Sequence, residues 1–460
     1  MASLIHTEIT EYLQSNAEAD FATLESALLE AILDFHNIVG VKNIEIKEIL
    51  QIDSPLRKKA LDWIGSNVPK LTIQHVLTFY ELRVSPENRK FDGAYYTPQS
   101  IVDEIVDFTL RDSIGSVCDP ACGSGAFLLG ATKKLMSNRA GTIQEIFSKF
   151  IWGIDIDSSN VEFTKRVLSL FAILNGADQK EFSIGIFQGN SLIFDWSKTS
   201  RGQSDFDFVV GNPPYVRGKN LTSQLKAQIK AWPSANSGIA DLYMPFFEIG
   251  LSWVLPRGRV GYITPNTYFS SVNGRNVRRM ISERQILDRI IDLSGFPAFE
   301  GLLTYTCVTI LDKAGVKDPM VGVANNLDQL QNIRQIELST IDYTELEQND
   351  WYIQPKHIAL EMRIMETTGI SLDKYVPKFT TGIATLRNDL YIFDLPVING
   401  YITFEKFGVQ FSIEEEVTVS IIKPNKIKTE AKLVRNQERV LYPYRIPEPG
   451  GRPALIPEDE

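Results

Sequence analysis

Val117-Cys118-Asp119-Pro120-Ala121-Cys122-Gly123-Ser124-Gly125-Ala126-Phe127-Leu128-Leu129 reads as a short apolar strand, a glycine turn and the opening of a helix. Glycine lets backbone approach a ligand closely, and a helix N-terminus favours a negative group such as a carboxylate. A phosphate loop would end in Gly-Lys-Ser/Thr, which this turn lacks, so a nucleoside triphosphate is disfavoured. The dinucleotide fingerprint Gly-x-Gly-x-x-Gly is not matched by Gly123-Ser124-Gly125-Ala126-Phe127-Leu128 either. Further on, Phe150-Ile151-Trp152-Gly153-Ile154 is a second apolar strand that ends at Asp155-Ile156-Asp157. A carboxylate at such a strand end can take both ribose hydroxyls of a nucleoside, and Asp155 is the residue expected to do so, with Ile156 against the base.

A third apolar run, Phe206-Asp207-Phe208-Val209-Val210-Gly211, delivers Asn212-Pro213-Pro214-Tyr215. Ligands of open α/β sheets bind outside the carboxyl ends of the strands, so this tetrapeptide faces a site. An amino group conjugated to an aromatic ring is a poor nucleophile, because its lone pair is delocalised. Alkylating it requires acceptors that favour a pyramidal nitrogen in the transition state. The side-chain oxygen of Asn212 and the carbonyl of Pro213 are two such acceptors, and the prolines fix φ and keep them aimed. Tyr215 offers a flat face for stacking a planar group. Taken alone, the tetrapeptide reads equally well as a strand-ending turn.

Five motifs occur in order: Gly93-Ala94-Tyr95-Tyr96-Thr97-Pro98, Asp119-Pro120-Ala121-Cys122-Gly123-Ser124-Gly125, Ile154-Asp155-Ile156-Asp157, Gly189-Asn190-Ser191-Leu192 and Asn212-Pro213-Pro214-Tyr215. In this order they resemble the motifs of gamma-class, adenine-specific DNA methyltransferases. The likeness extends through Ala240-Asp241-Leu242-Tyr243 and Gly261-Tyr262-Ile263-Thr264-Pro265-Asn266 to Phe296-Pro297-Ala298-Phe299-Glu300 and Thr306-Cys307-Val308-Thr309-Ile310. The resemblance implies a Rossmann-like S-adenosylmethionine-dependent methyltransferase sheet and methyl transfer to the N6 amino group of a flipped-out adenine in double-stranded DNA, in a restriction-modification or phage-defence system. It implies donor contacts from Tyr96, Thr97, Asp119, Gly123, Gly125, Phe127, Asp155, Ile156 and Asn190. Catalysis is expected from Asn212, Pro213, Pro214 and Tyr215, with Tyr215 on one face of the base and Phe299, or alternatively Phe296, on the other. Members of that family often carry an acidic residue where Asn190 stands; an amide accepts without charge assistance, so weaker donor binding is expected.

No metal is expected. Cys118 and Cys122 lack the other ligands of a tetrahedral site, and three cysteines imply no disulfide framework. The N-terminus has no basic region ahead of an apolar one, and no run is apolar enough to span a bilayer, so a cytoplasmic enzyme is expected. The net charge of −10 argues against indiscriminate coating of nucleic acid but leaves room for a local basic face. Candidates are Arg217, Lys219, Lys226 and Lys230; Arg275, Arg278, Arg279 and Arg284; and Lys423, Lys426, Lys428, Lys432, Arg435 and Arg439.

Along the chain, residues 1–90 read as helical, 91–315 as the catalytic α/β domain with a mostly parallel sheet, 316–375 as a connector, and 376–460 as a partial target-recognition domain. Asp34 with Glu45-Ile46-Lys47 faintly suggests nuclease residues but reads as helix surface. Thr381-Gly382-Ile383-Ala384-Thr385-Leu386-Arg387 is similar to the opening of that family's recognition domain, which usually runs longer than the segment here. Either the polypeptide is truncated, or a recognition or restriction subunit completes it. Two rival readings stand beside DNA: methylation of protein glutamine amides, whose nitrogen poses the same delocalisation problem, and a non-catalytic DNA-binding subunit.

Overall fold

The computed structural model describes residues 21–68, 70–83, 97–293, 305–326, 328–329, 332–346, 350–354, 356–370, 374, 391–406, 408–422, 433, 436–442, 444–445 and 454–455. They fall into two compact units, Met1–Thr367 and Thr368–Glu460.

The first unit is built on one nine-stranded sheet. Its strands are β1 (Val117–Asp119), β2 (Ile151–Asp155), β3 (Gly185–Gln188), β4 (Phe206–Gly211), β5 (Val254–Pro265), β6 (Leu287–Asp292), β7 (Thr306–Asp312), β8 (Met320–Val323) and β9 (Ser339–Thr340), in the order β3-β2-β1-β4-β5-β7-β6-β8-β9. From β3 to β5 every neighbour is parallel; β7 runs antiparallel between β5 and β6. Side chains of a strand alternate between the two faces. Val117, Phe208 and Val210 accordingly enter one hydrophobic core, while Cys118 and Val209 enter the other. Burial on both faces is why these strands read as continuous apolar runs rather than alternating ones.

The helices of this unit include α1 (Phe21–Phe35), α2 (Ile44–Leu50), α3 (Pro55–Asn67), α4 (Ile73–Arg83), α5 (Gln99–Leu110), α6 (Ala126–Ser137), α7 (Ile143–Phe150), α8 (Ser158–Leu174), α9 (Ser223–Lys230), α10 (Met244–Trp253) and α11 (Arg275–Arg284). Local signals start them. Thr142 and Glu145 form a reciprocal capping box at α7, and Asp157 accepts from the Ser159 amide at α8. Pro98, with φ fixed at −50°, opens α5.

The N-terminal helices pack on the sheet domain rather than standing apart. Glu25 of α1, almost wholly buried, receives Nε and a terminal nitrogen of Arg166 of α8 at 2.6 and 3.1 Å. Glu45 accepts from Ser169 of α8 at 3.2 Å, so it is a packing residue of α2 while Asp34 is exposed. The sheet also runs past residue 315: β8 pairs parallel to β6, and β9 antiparallel to β8. These two strands, within the stretch expected as a connector, are short, and Met320-Val321-Gly322-Val323 is too brief to announce itself by pattern.

In the second unit, β10 (Ile392–Asp394), β14 (Glu438–Leu441) and β13 (Thr418–Ser420) form an antiparallel sheet, and β11 (Tyr401–Lys406) with β12 (Val409–Glu414) a hairpin in register Tyr401↔Glu414. Thr381 to Arg387, Lys423, Lys426, Lys428, Lys432 and Arg435 lie outside the described residues. Arg439 donates to Thr418 Oγ1 at 2.7 Å and pairs with Glu415 at 3.3 Å. Among the described residues no helix is long and apolar enough to cross a membrane.

Candidate functional site

Because β3, β2, β1 and β4 are parallel neighbours, their carboxyl ends stand in a row, and each ends in one of the motifs singled out above. The turn after β1 needs glycine. Gly123 and Gly125 have φ of +51° and +80°, and a Cβ on Gly125 would lie 2.9 Å from Thr164 Cγ2 of α8. Thr164 Oγ1 also donates to the Gly123 carbonyl at 2.9 Å. Thr164 had no motif to mark it in the sequence; only the fold brings it 41 positions back to the turn.

Asp155, at the end of β2, holds the same turn from the other side. Its Oδ2 accepts from the Gly123 amide at 2.9 Å, and Oδ1 from the Asp157 amide at 2.9 Å and Asn160 Nδ2 at 3.0 Å. Burial pushes its pKa up, against the pull of those three bonds. Ile156 beside it is 66% exposed, an open apolar face at the strand end.

After β3, Asn190 Oδ1 accepts from the Leu192 amide at 3.0 Å, while Nδ2 donates to Gln228 Oε1 of α9 at 3.2 Å. The Gly189 amide donates to the Asp155 carbonyl at 2.8 Å, which sets the two strand ends side by side. Ile193 is exposed on the same turn. Gln228 and Ile193 carry no sequence signal beyond composition.

Asp119 is buried, with Oδ1 accepting from the Ala121 amide at 2.9 Å; desolvation, with Asp155 nearby, pushes its pKa up to about 8. A Cβ on Gly211 would lie 2.6 Å from Asp119 Oδ1. The tip of β4 is therefore packed closely against the last residue of β1, and glycine is what lets them approach. Phe127, in the first turn of α6, is 4% exposed and belongs to the hydrophobic core.

Asn212 follows Gly211 directly. Its Nδ2 donates to Thr97 Oγ1 at 3.0 Å, and Thr97 is itself buried, just ahead of Pro98 and α5. Pro213 is buried and Pro214 half-buried. The Tyr215 hydroxyl donates to the Ile263 carbonyl at 3.3 Å, and its ring meets Tyr243 edge-on at 6.5 Å. Tyr243 Oη in turn shares a 2.9 Å hydrogen bond with Thr267 Oγ1. Thr267, Asn266, Asp292 and Trp351 line a cavity of about 380 Å³ at the carboxyl ends of β5 and β6, in which Asn266 Nδ2 donates to Asp292 Oδ1 at 3.1 Å. Tyr96, Phe296 and Phe299 lie outside the described residues.

Of the basic candidates, Arg217, Lys219, Lys230, Arg275, Arg279 and Arg284 are exposed. Arg278 is not available to a groove. It is 3% exposed and donates to the Tyr268 and Ser271 carbonyls at 2.7 and 2.9 Å, with Asp350 beside it at 3.3 Å. Its position on the inner side of α11 turns it into the core, where only such partners make burial of a guanidinium tolerable. No group of three or more His, Cys, Asp or Glu that could hold a metal occurs among the described residues.

Residues 149–299 match the Eco57I restriction-modification methylase family. The type II restriction enzyme and methyltransferase RM.Eco57I of Escherichia coli is 25% identical, over 82% of this chain and 44% of that protein. The type II methyltransferase M.BstVI of Geobacillus stearothermophilus is 24% identical, over 78% and 68%, and M.XhoI of Xanthomonas vasicola 26%, over 67% and 61%. The chain thus spans between 44% and 68% of the length of these curated relatives. Among solved structures, the type IIG restriction endonuclease BpuSI is similar with a TM-score of 0.53 at 17% identity, over 78% of this chain and 47% of that one. DrdV in complex with DNA gives 0.51 at 14%, over 70% and 39%. These two likenesses establish the fold.

Proposed function

We propose that this chain, a relative of the restriction-modification methyltransferases through its Eco57I-type segment at residues 149–299, is a DNA methyltransferase acting on the N6 amino group of adenine in a restriction-modification system. The observation that carries the reading is the contact between the two halves of the site: Gly211 against Asp119 brings the Asn212 tip beside the glycine turn. A methyl group has to pass only between adjacent strand ends.

The residues present fit S-adenosylmethionine. Positive φ at Gly123 and Gly125 turns the chain sharply after β1, and Asp155 with exposed Ile156 suits a ribose and a purine face. Thr97 and the turn at 119–125 would hold the methionine end, next to Asn212. That donor, when bound, supplies a sulfonium methyl group.

The chain's own residues do the rest. With Nδ2 bonded to Thr97, the acceptor for the target amino group would be Asn212 Oδ1, which is buried at the strand tip, and the Pro213 carbonyl would be the second. As the nitrogen attacks the methyl carbon, its lone pair leaves conjugation, the carbon–sulfur bond breaks to leave a neutral thioether, and the nitrogen then gives up one proton to solvent. Both N–H groups become stronger donors to these fixed oxygens in the transition state, where the gain accelerates transfer. An adenine reaches this tip only when rotated out of the duplex, at a cost of about a few kcal/mol, recovered in part by stacking on Tyr215.

Incubation of the protein with labelled S-adenosylmethionine and genomic DNA, followed by nucleoside analysis, is expected to give N6-methyladenine. Label on added protein, or on cytosine, would overturn the assignment.

A further inference from the structure

Two loops each carry an exposed aliphatic side chain, Ile239 at 61% and Val272 at 63% exposure. Single exposed apolar residues need no explanation. These two differ in being clamped together. Asn273, next to Val272, uses its whole amide on the backbone of Ile239: Nδ2 donates to the Ile239 carbonyl at 2.7 Å, and Oδ1 accepts the Ile239 amide at 3.0 Å. Ser237 Oγ donates to the Asn273 carbonyl at 2.7 Å. Gly238, at φ +64°, leaves room for this; a Cβ there would lie 2.2 Å from Asn273 Oδ1. Three hydrogen bonds therefore fix two solvent-facing aliphatic groups that belong to loops more than thirty positions apart.

Their place is tied to the candidate active site. A Cβ on Gly218 would lie 2.7 Å from Ile239 Cγ2, and the Gly218 amide donates to Asp241 Oδ1 at 2.8 Å. Gly218 is three residues beyond Tyr215, so their Cα atoms are within about 11 Å, the reach of three extended residues. The surround is cationic: Arg217 and Lys219 on one loop, and Arg275 and Arg279 on the first turns of α11, are exposed, and the Arg275 amide donates to the Val272 carbonyl. Positive charge around a small apolar projection matches duplex DNA, whose backbone attracts the rim while the base stack accepts the tip.

We propose that Ile239 and Val272 form a rigid wedge that enters the base stack at the place vacated by the rotated adenine, with Asn273 as the positioning residue. The proposal rests on the methyltransferase reading above. Rigidity is the reason the clamp matters: a wedge that bends cannot hold a gap open, and a preformed one costs no ordering on binding.

Once sequencing of methylated DNA has given the recognition motif, two oligonucleotide duplexes test the wedge, one with the target adenine opposite thymine and one with it opposite an abasic site. The variant Ile239→Ser/Val272→Ser should lose about tenfold or more in kcat/KM on the paired duplex and stay within about twofold of wild type on the abasic one, where the base is already unpaired and costs less to extrude. Fluorescence of 2-aminopurine at the target position should rise on adding wild type and not on adding the variant. Asn273→Ala should fall between them, with thermal denaturation reporting that each variant is folded. Equal losses on the two duplexes, or none on either, overturn the wedge. Failure of the wild-type chain to methylate any DNA overturns the methyltransferase reading, and the wedge with it.

Discussion

Asn212 Nδ2 and Thr97 Oγ1 meet at 3.0 Å although 115 positions separate them. In the proposed mechanism this hydrogen bond decides which end of the Asn212 amide faces the target nitrogen. Asn212→Ala is expected to lower kcat by about a hundredfold to a thousandfold, the usual cost of removing one fixed group that stabilises a transition state. Donor affinity, measured by calorimetry, should be unchanged. Thr97→Val leaves the amide in place without its partner, and a smaller loss, about tenfold in kcat, is expected. Full activity in both variants would show that the amide does not touch the reacting nitrogen.

Asp155 serves the glycine turn and the proposed ribose position together. Asp155→Ala removes three hydrogen-bond acceptances, including that from Gly123, and should raise the donor dissociation constant by about tenfold to a hundredfold. Single-turnover kinetics at saturating donor should then recover most of the rate. A rate defect that saturation does not relieve would place Asp155 elsewhere in the mechanism.

Buried Asp119 makes stability depend on pH. In the unfolded chain an Asp ionises near about 4, whereas the folded chain holds this proton up to about 8. Between those values the native state binds more protons than the unfolded one, so stability falls as pH rises through the window. Asp155 shifts in the same direction. Asp119→Asn should flatten the decline in Tm between pH 5.5 and 7.5, a range chosen inside that window; parallel Tm curves for variant and wild type would show that Asp119 ionises normally in the fold.

Asn190 presents an uncharged acceptor at the end of β3, where the family resemblance leads one to expect an acid. Asn190→Asp keeps an oxygen for the Leu192 amide and adds charge, so donor affinity should rise severalfold, by about the difference between neutral and charge-assisted hydrogen bonds. Unchanged or weaker binding would mean that the Gln228 contact, not the donor, sets the choice of residue at this position.

Much of this site was legible because the chemistry sits at strand ends, and strand ends announce themselves. Apolar runs at 117, 151 and 206, each stopping at a polar residue, gave three parallel strands and placed Asp119, Asp155 and Asn212 in one row. What stayed hidden depended on tertiary neighbours. The sequence of Arg278 differs in nothing from that of Arg275 or Arg279, yet helix rotation buries the first and exposes the other two. Thr164, Gln228 and Asn273 act through contacts to backbone or to another amide, and no short motif encodes a partner that far along the chain.

The hydrogen-bonded pairing of β1 with β4 acts as a gauge. Adjacent strands in a sheet stand about 4.8 Å apart, a spacing set by peptide geometry and not by side chains. Whatever is held after β1 and whatever is held at the tip of β4 would thereby be kept at a fixed interval. Mutations can retune either pocket while the interval between them stays locked.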